Sequence, residues 1–104
     1  MKSDNFWKMS AIDVVRSLRK KEIHPKELIH AAITRIETVD DKINALPIRC
    51  FERALEQANK GKTSSSLEEY NILAGLPIAV KDYNDVKGVR TTFGSQMFAK
   101  NIPP

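Results

Sequence analysis

Lys81 closes the apolar run "LPIAV", is followed at once by Asp82, and stands ten residues ahead of a hydroxyl cluster, Thr91, Thr92 and Ser95. A lysine carried into a dry site by a buried strand keeps part of its amine neutral. It can then take a proton from a serine hydroxyl as a general base. The plainer reading is that its stem covers apolar surface while the ammonium reaches water. A carboxylate facing the amine would favour the charged form. Alternation along a strand sends Lys81 and Asp82 to opposite faces, which argues against direct pairing. The "TTFGS" segment is either turn chemistry, with hydroxyls bonded to nearby backbone, or a polar loop lining an active site. It has one glycine and no following lysine, so it is neither a phosphate-binding loop nor a dinucleotide fingerprint.

The other chemistry-bearing residues are sparse. His24 and His30 lie six apart with no His-Glu-x-x-His pattern, and Cys50 is the one cysteine. No metal or cofactor is expected from that set, and a disulfide framework is excluded. His24 reads as a helix-start residue and Cys50, beside Phe51, as packing. The hydrophobic share of 41% and charged share of 29% suit a soluble globular chain rather than a disordered or fibrous one. The formal net charge of +4 is spread among acids, as in "RSLRKKEIHPKE". Arg19, Lys20 and Lys21 form the tight cluster, without interleaved aromatics. That suits a solvated helix end better than a nucleic-acid surface. There is no secretion signal and no run near the roughly 20 apolar residues of a spanning helix, so a cytoplasmic location without membrane or direct nucleic-acid partners is expected.

The scaffold reads as three helices and then a strand. Residues 1–9 read as a loosely held end whose Phe6 and Trp7 pack on the first helix. Ser10 to Asp13 is a capping-box variant, and Ala11, Val14, Val15 and Leu18 share one face of a helix that fades near Lys20 or Lys21. Pro25 opens a second helix with Ile29, Ala32, Ile33 and Ile36 on its apolar face, weakening around Asp40 and Asp41. A third, from about Ile48 to Lys60, carries Phe51, Ala54, Leu55 and Ala58, a Glu56–Lys60 pair and Gly61 as its stop. Residues 61–71 read as an exposed polar connection. Leu76–Val80 then reads as a strand buried on both faces, with Pro77 at its start. "KNIPP" adds no element. The fold class expected is therefore α/β: helices over about 10–60, a loop over 61–71, and a strand with its active-site loop over 72–104, all parts of one domain.

The stretch "GLPIAVKDYNDVKGVRTTFGS" resembles the catalytic-lysine segment of the amidase signature family. That family commonly carries Gly-x-Pro, three apolar residues, Lys-Asp, a later Gly, and Thr-Thr-x-Gly-Ser. The matching positions are Gly75, Pro77, Lys81, Asp82, Gly88, Thr91, Thr92, Gly94 and Ser95. "SAIDVVRSLRKKEIHPKELIHAAITRIETVDDKINAL" is similar to the paired helices that begin many members. The resemblance implies a larger mixed-sheet fold, of which this chain would hold the N-terminal helices and first buried strand. It also implies a Ser–cis-Ser–Lys triad that cleaves carboxamide C–N bonds through an acyl-enzyme, with backbone N–H groups holding the oxyanion. Lys81 maps onto the catalytic lysine; Asp82, Thr91, Thr92 and Ser95 map onto accompanying, supporting positions. Tyr83 departs from a frequent Asn, and His24 from a frequent Ser or Thr.

Both serines of that triad belong to a Gly/Ser-rich signature that follows the lysine, and residues 1–104 do not contain it. "TSSS" at 63–66 precedes the lysine and lacks the glycines. The resemblance therefore implies an N-terminal portion of an amidase, inactive by itself, whose whole protein takes a small-molecule amide. Two alternatives stand beside it. One is a non-catalytic helical module that self-associates to cover an unpaired strand and apolar patch. The other is part of the amidase subunit of a tRNA-dependent amidotransferase.

Overall fold

The computed structural model describes residues 3–60 and 72–104. The chain divides into two compact units: Met1–Pro47 with Phe51–Pro77, and Ile48–Cys50 with Ile78–Pro104. The expected connection over 61–71, with Gly61 as a helix stop, lies outside the described residues.

The first unit is helical. A short 3-10 helix, Ser3–Lys8, precedes α1 (Ala11–Arg19), α2 (Pro25–Ile43) and α3 (Phe51–Asn59). Local chemistry sets the starts of α1 and α2 and the end of α2. Ser10 Oγ accepts the Asp13 N–H at 3.2 Å and starts α1. Asp13 pairs forward with Arg16 at 3.8 Å. Helix α2 starts on a full capping box: His24 Nδ1 accepts the Lys26 N–H at 3.0 Å while the Glu27 carboxylate accepts the His24 N–H at 2.7 Å. Pro25 occupies the first turn, where its missing N–H costs nothing. At the far end Asn44 turns left-handed at φ 54°. The buried carboxylate of Asp40 accepts the N–H groups of Ala45 at 2.8 Å and Leu46 at 3.1 Å. That arrangement carries α2 to Ile43, past the fading apolar pattern.

Phe6, Val14, Ile23 and Leu28 form the buried core, with Met9, Leu18, Ala31 and Leu76 packed against it. Residues 3–9 are therefore not a loose end. Phe6 is a core residue and Trp7 stacks under the Arg35 guanidinium, 4.0 Å from the ring centroid. The buried face of α2 takes in the expected stripe and extends beyond it, with Leu28 its most buried residue. Leu28, Ala31 and Arg35, at i, i+3 and i+7, meet the core and Trp7, and Ile29, Ala32, Ile33 and Ile36 are half-buried as Ala31 and Arg35 are. Helix α2 packs on the 3-10 helix and on α3, so its apolar girdle is wider than one stripe.

Of the expected α/β class the helices are present, but the described residues contain no strand. Leu76 joins the core, but Ile78 is 76% exposed and Val80 48%. The physical reason is that a strand exists through its ladder. No described segment lies alongside Leu76–Val80 to supply ladder bonds or to cover both faces.

The second unit holds a short 3-10 helix, Gln96–Phe98, and little apolar interior. Its last residues, expected to build nothing, form no element but fold back on the loop. The Gly88 N–H donates to the Pro103 carbonyl and the Thr91 N–H to the Asn101 carbonyl, each at 2.9 Å.

Candidate active site

The second unit carries every candidate residue. Lys81 ends the extended segment because the chain turns there: its carbonyl accepts the N–H groups of Tyr83 at 2.7 Å and Asn84 at 3.0 Å. Its side chain is exposed, with Nζ 5.6 Å from the centroid of the Tyr83 ring. Asp82 faces elsewhere. Its Oδ1 accepts the Thr92 N–H at 2.7 Å, and its Oδ2 accepts the Thr92 hydroxyl. The Thr92 hydroxyl bond, then the Thr92 N–H, hold the Asp82 carboxyl below the ordinary aspartate range, with smaller help from the Gly94 and Phe93 N–H groups against desolvation. No ion pair joins Lys81 and Asp82. The two do part, but through the turn and the capture by Thr92 rather than through strand alternation.

The hydroxyls divide in role. Thr91 is 2% exposed, and its Oγ1 donates to the Val89 carbonyl at 3.1 Å. Asn101 clamps it, accepting its N–H and donating Nδ2 to its carbonyl at 3.0 Å. Thr91 therefore anchors the loop from inside. Ser95 Oγ accepts the Met97 N–H at 3.3 Å and caps the 3-10 helix. With Arg90, Thr92, Gly94, Gln96 and Ala99 it lines an open depression of about 450 Å³. The structure thus brings Asp82 to Thr92 and Thr92 to Ser95, and leaves Lys81 on the Tyr83 ring. Asn101, Arg90 and Gln96 were not legible as site residues; a lone Asn before Ile-Pro-Pro carries no signal of a clamp ten residues back.

The profile of the Amidase family matches residues 27–104, which takes in all but the first two residues of α2 and the whole Gly75–Ser95 motif. The chain belongs to the amidase family. Among curated relatives, the A subunit of glutamyl-tRNA(Gln) amidotransferase from Moorella thermoacetica is 39% identical over 97 residues, which cover 92% of this chain and 20% of the relative. The proteins of that same name from Alkaliphilus metalliredigens, 36% identical over 97 residues, and Persephonella marina, 34% over 99, cover 92% and 94% of this chain and 20% of each relative. The amidase-family chain thus spans about a fifth of the length of these relatives. No solved structure matches it at a significant level. Among the described residues no helix is long and apolar enough to cross a membrane, and no group of three metal-ligating side chains is present.

Proposed function

We propose that this chain supplies the lysine of an amide-cleaving site, in a protein of the kind its relatives are named for: the amidase subunit of a tRNA-dependent amidotransferase. The observation that carries the reading is the ordered Gly75–Ser95 motif inside an amidase-family match, with relatives that share that one name. In the reaction, neutral Lys81 accepts a proton from a bridging serine, which takes one from the nucleophilic serine. The nucleophile attacks the carboxamide carbon, the C–N bond breaks, and ammonia leaves with a returned proton. Water then releases the carboxylic acid. Asp82, Thr91, Thr92 and Ser95 support the loop beside the lysine. Both serines, and the neighbours that make Leu76–Val80 a strand and shield Lys81, come from outside residues 1–104 in this reading. By the same token the isolated chain is inactive and takes no label from a serine-directed phosphonofluoridate; specific labelling of a serine would contradict that.

A chimaera tests the function. Residues 1–104 replace the matching segment of the Moorella thermoacetica protein, and ammonia release from glutamine is measured in the assembled enzyme. The chimaera should be active, and Lys81→Ala within it should lose about 10²- to 10⁴-fold in kcat, the range for a general base. An active chimaera whose Lys81→Ala variant stays within about threefold refutes the role of Lys81.

A further inference from the structure

A carboxylate at position 82 has two sets of partners within reach: the ammonium beside it in sequence, and the donors of the turn ten residues on. The structure chooses the turn. Asp82 accepts both the N–H and the hydroxyl of Thr92. The Gly94 N–H donates in turn to Thr92 Oγ1 at 3.3 Å, so a hydrogen-bond chain runs from carboxylate through hydroxyl to the Gly94 amide. The turn needs this support. Phe93 at φ 55° and Gly94 at φ 69° are both left-handed, which a bulky residue such as phenylalanine seldom adopts without help. The N–H groups of Thr92, Phe93 and Gly94 all act on the Asp82 carboxylate, so the turn presents its donors to that one anion. The Lys81 ammonium rests meanwhile on Tyr83.

We propose that Asp82 is a positioning residue: its carboxylate is the built-in anion of the Thr92–Gly94 turn and is thereby withheld from Lys81. The second half rests on Lys81 being the base of the proposed reaction; the first half stands without it. A carboxylate left loose beside the lysine would stabilise the ammonium and oppose proton acceptance. Bound into the turn, the same group orders the hydroxyl loop and is not the amine's counter-ion.

NMR on the 104-residue chain tests this with Asp82→Asn, Asp82→Ala, Thr92→Val and Tyr83→Leu. Without the carboxylate, the Thr92 amide should exchange about tenfold faster or more, and the Thr92 and Gly94 amide resonances should move. The Thr91 amide, bonded to Asn101, should keep its protection and so report that the rest of the loop persists. Thr92→Val, which removes only the hydroxyl link, should move Gly94 while leaving Thr91 unchanged. It decides the matter even where an Asp82 variant loosens the whole loop. The Lys81 ε-methylene protons should keep their ring-current shift in Asp82→Asn and lose it in Tyr83→Leu. Unchanged Thr92 exchange in Asp82→Ala overturns the proposal, as does an unmoved Gly94 in Thr92→Val. So does a Lys81 response to Asp82→Asn as large as that to Tyr83→Leu. None of these signals depends on amide hydrolysis, so they stand or fall apart from the chimaera's activity.

Discussion

Replacing Gly75 with alanine adds one methyl group at a position the structure leaves no room for. Gly75 has φ +89°, and an added Cβ would lie 2.8 Å from Pro25 Cγ and 3.4 Å from both methyls of Leu18. An L-residue held left-handed costs roughly 1–2 kcal/mol. Pro25 cannot swing aside, because its ring is locked to the first turn of α2, so the overlap adds about 1–3 kcal/mol of overpacking. A stiffer unfolded chain offsets about 0.4–1 kcal/mol. The net loss is about 2–4 kcal/mol, a large part of what a small domain has. Urea denaturation followed by far-ultraviolet circular dichroism reads it directly. Pro25→Ala removes the Cγ, so the double variant should recover the steric share and not the backbone share, giving a coupling of about 1 kcal/mol or more. A Gly75→Ala loss under about 0.5 kcal/mol, or strict additivity with Pro25→Ala, would refute the reasoning.

His24→Ala should cost about 1 kcal/mol through the lost cap of α2, and His24→Ser, which restores an oxygen acceptor, should stay near the parent in the same urea titration. Asp40→Ala strips the acceptor from two N–H groups beyond the end of α2 and should destabilise by about 2 kcal/mol, with faster exchange at Ala45 and Leu46. The Asp82 carboxyl is held below its ordinary range, so its contribution is complete above the ordinary aspartate range. It is lost as pH falls through the lowered value, and the Thr92 amide shift should follow that acid transition; a titration already complete near the ordinary aspartate value would contradict it. Sedimentation over a wide concentration range addresses the self-association alternative, for which exposed Ile78, Val80 and Met97 are the motive; a clean monomer at the highest concentration removes it.

Helix starts and stops were legible because their causes are local. Ser10, Pro25 and the residues near Lys20 act on their own turns, and the structure puts α1 and α2 within a residue or two of the expected bounds at those points. The far end of α2 was less so, since Asp40 works through a side chain that reaches five and six residues onward. Choosing Leu28 over Ile29 as the buried residue needed knowledge of where the 3-10 helix and α3 lie. A 100° stripe read along one helix does not hold that knowledge. The strand is the instructive failure. "LPIAV" states an affinity for a ladder, but pairing belongs to two segments, and the described residues offer one. In the site, Lys81 and the hydroxyls stood out by type and order. The Asp82–Thr92 bond did not, because loops have no period from which a contact across ten residues can be read.

Trp7 is the chain's one tryptophan; it sits on the 3-10 helix beside buried Phe6, partly exposed, with Arg35 of α2 over its face. The molecule therefore carries its own optical reporter. Indole emission and its quenching by acrylamide follow the seating of the Ser3–Lys8 helix on α2 without any label. In Gly75→Ala or Asp82→Asn, the emission separates damage to the helical unit from damage confined to the turn. A shift with Gly75→Ala and silence with Asp82→Asn would show that the two units answer to different residues.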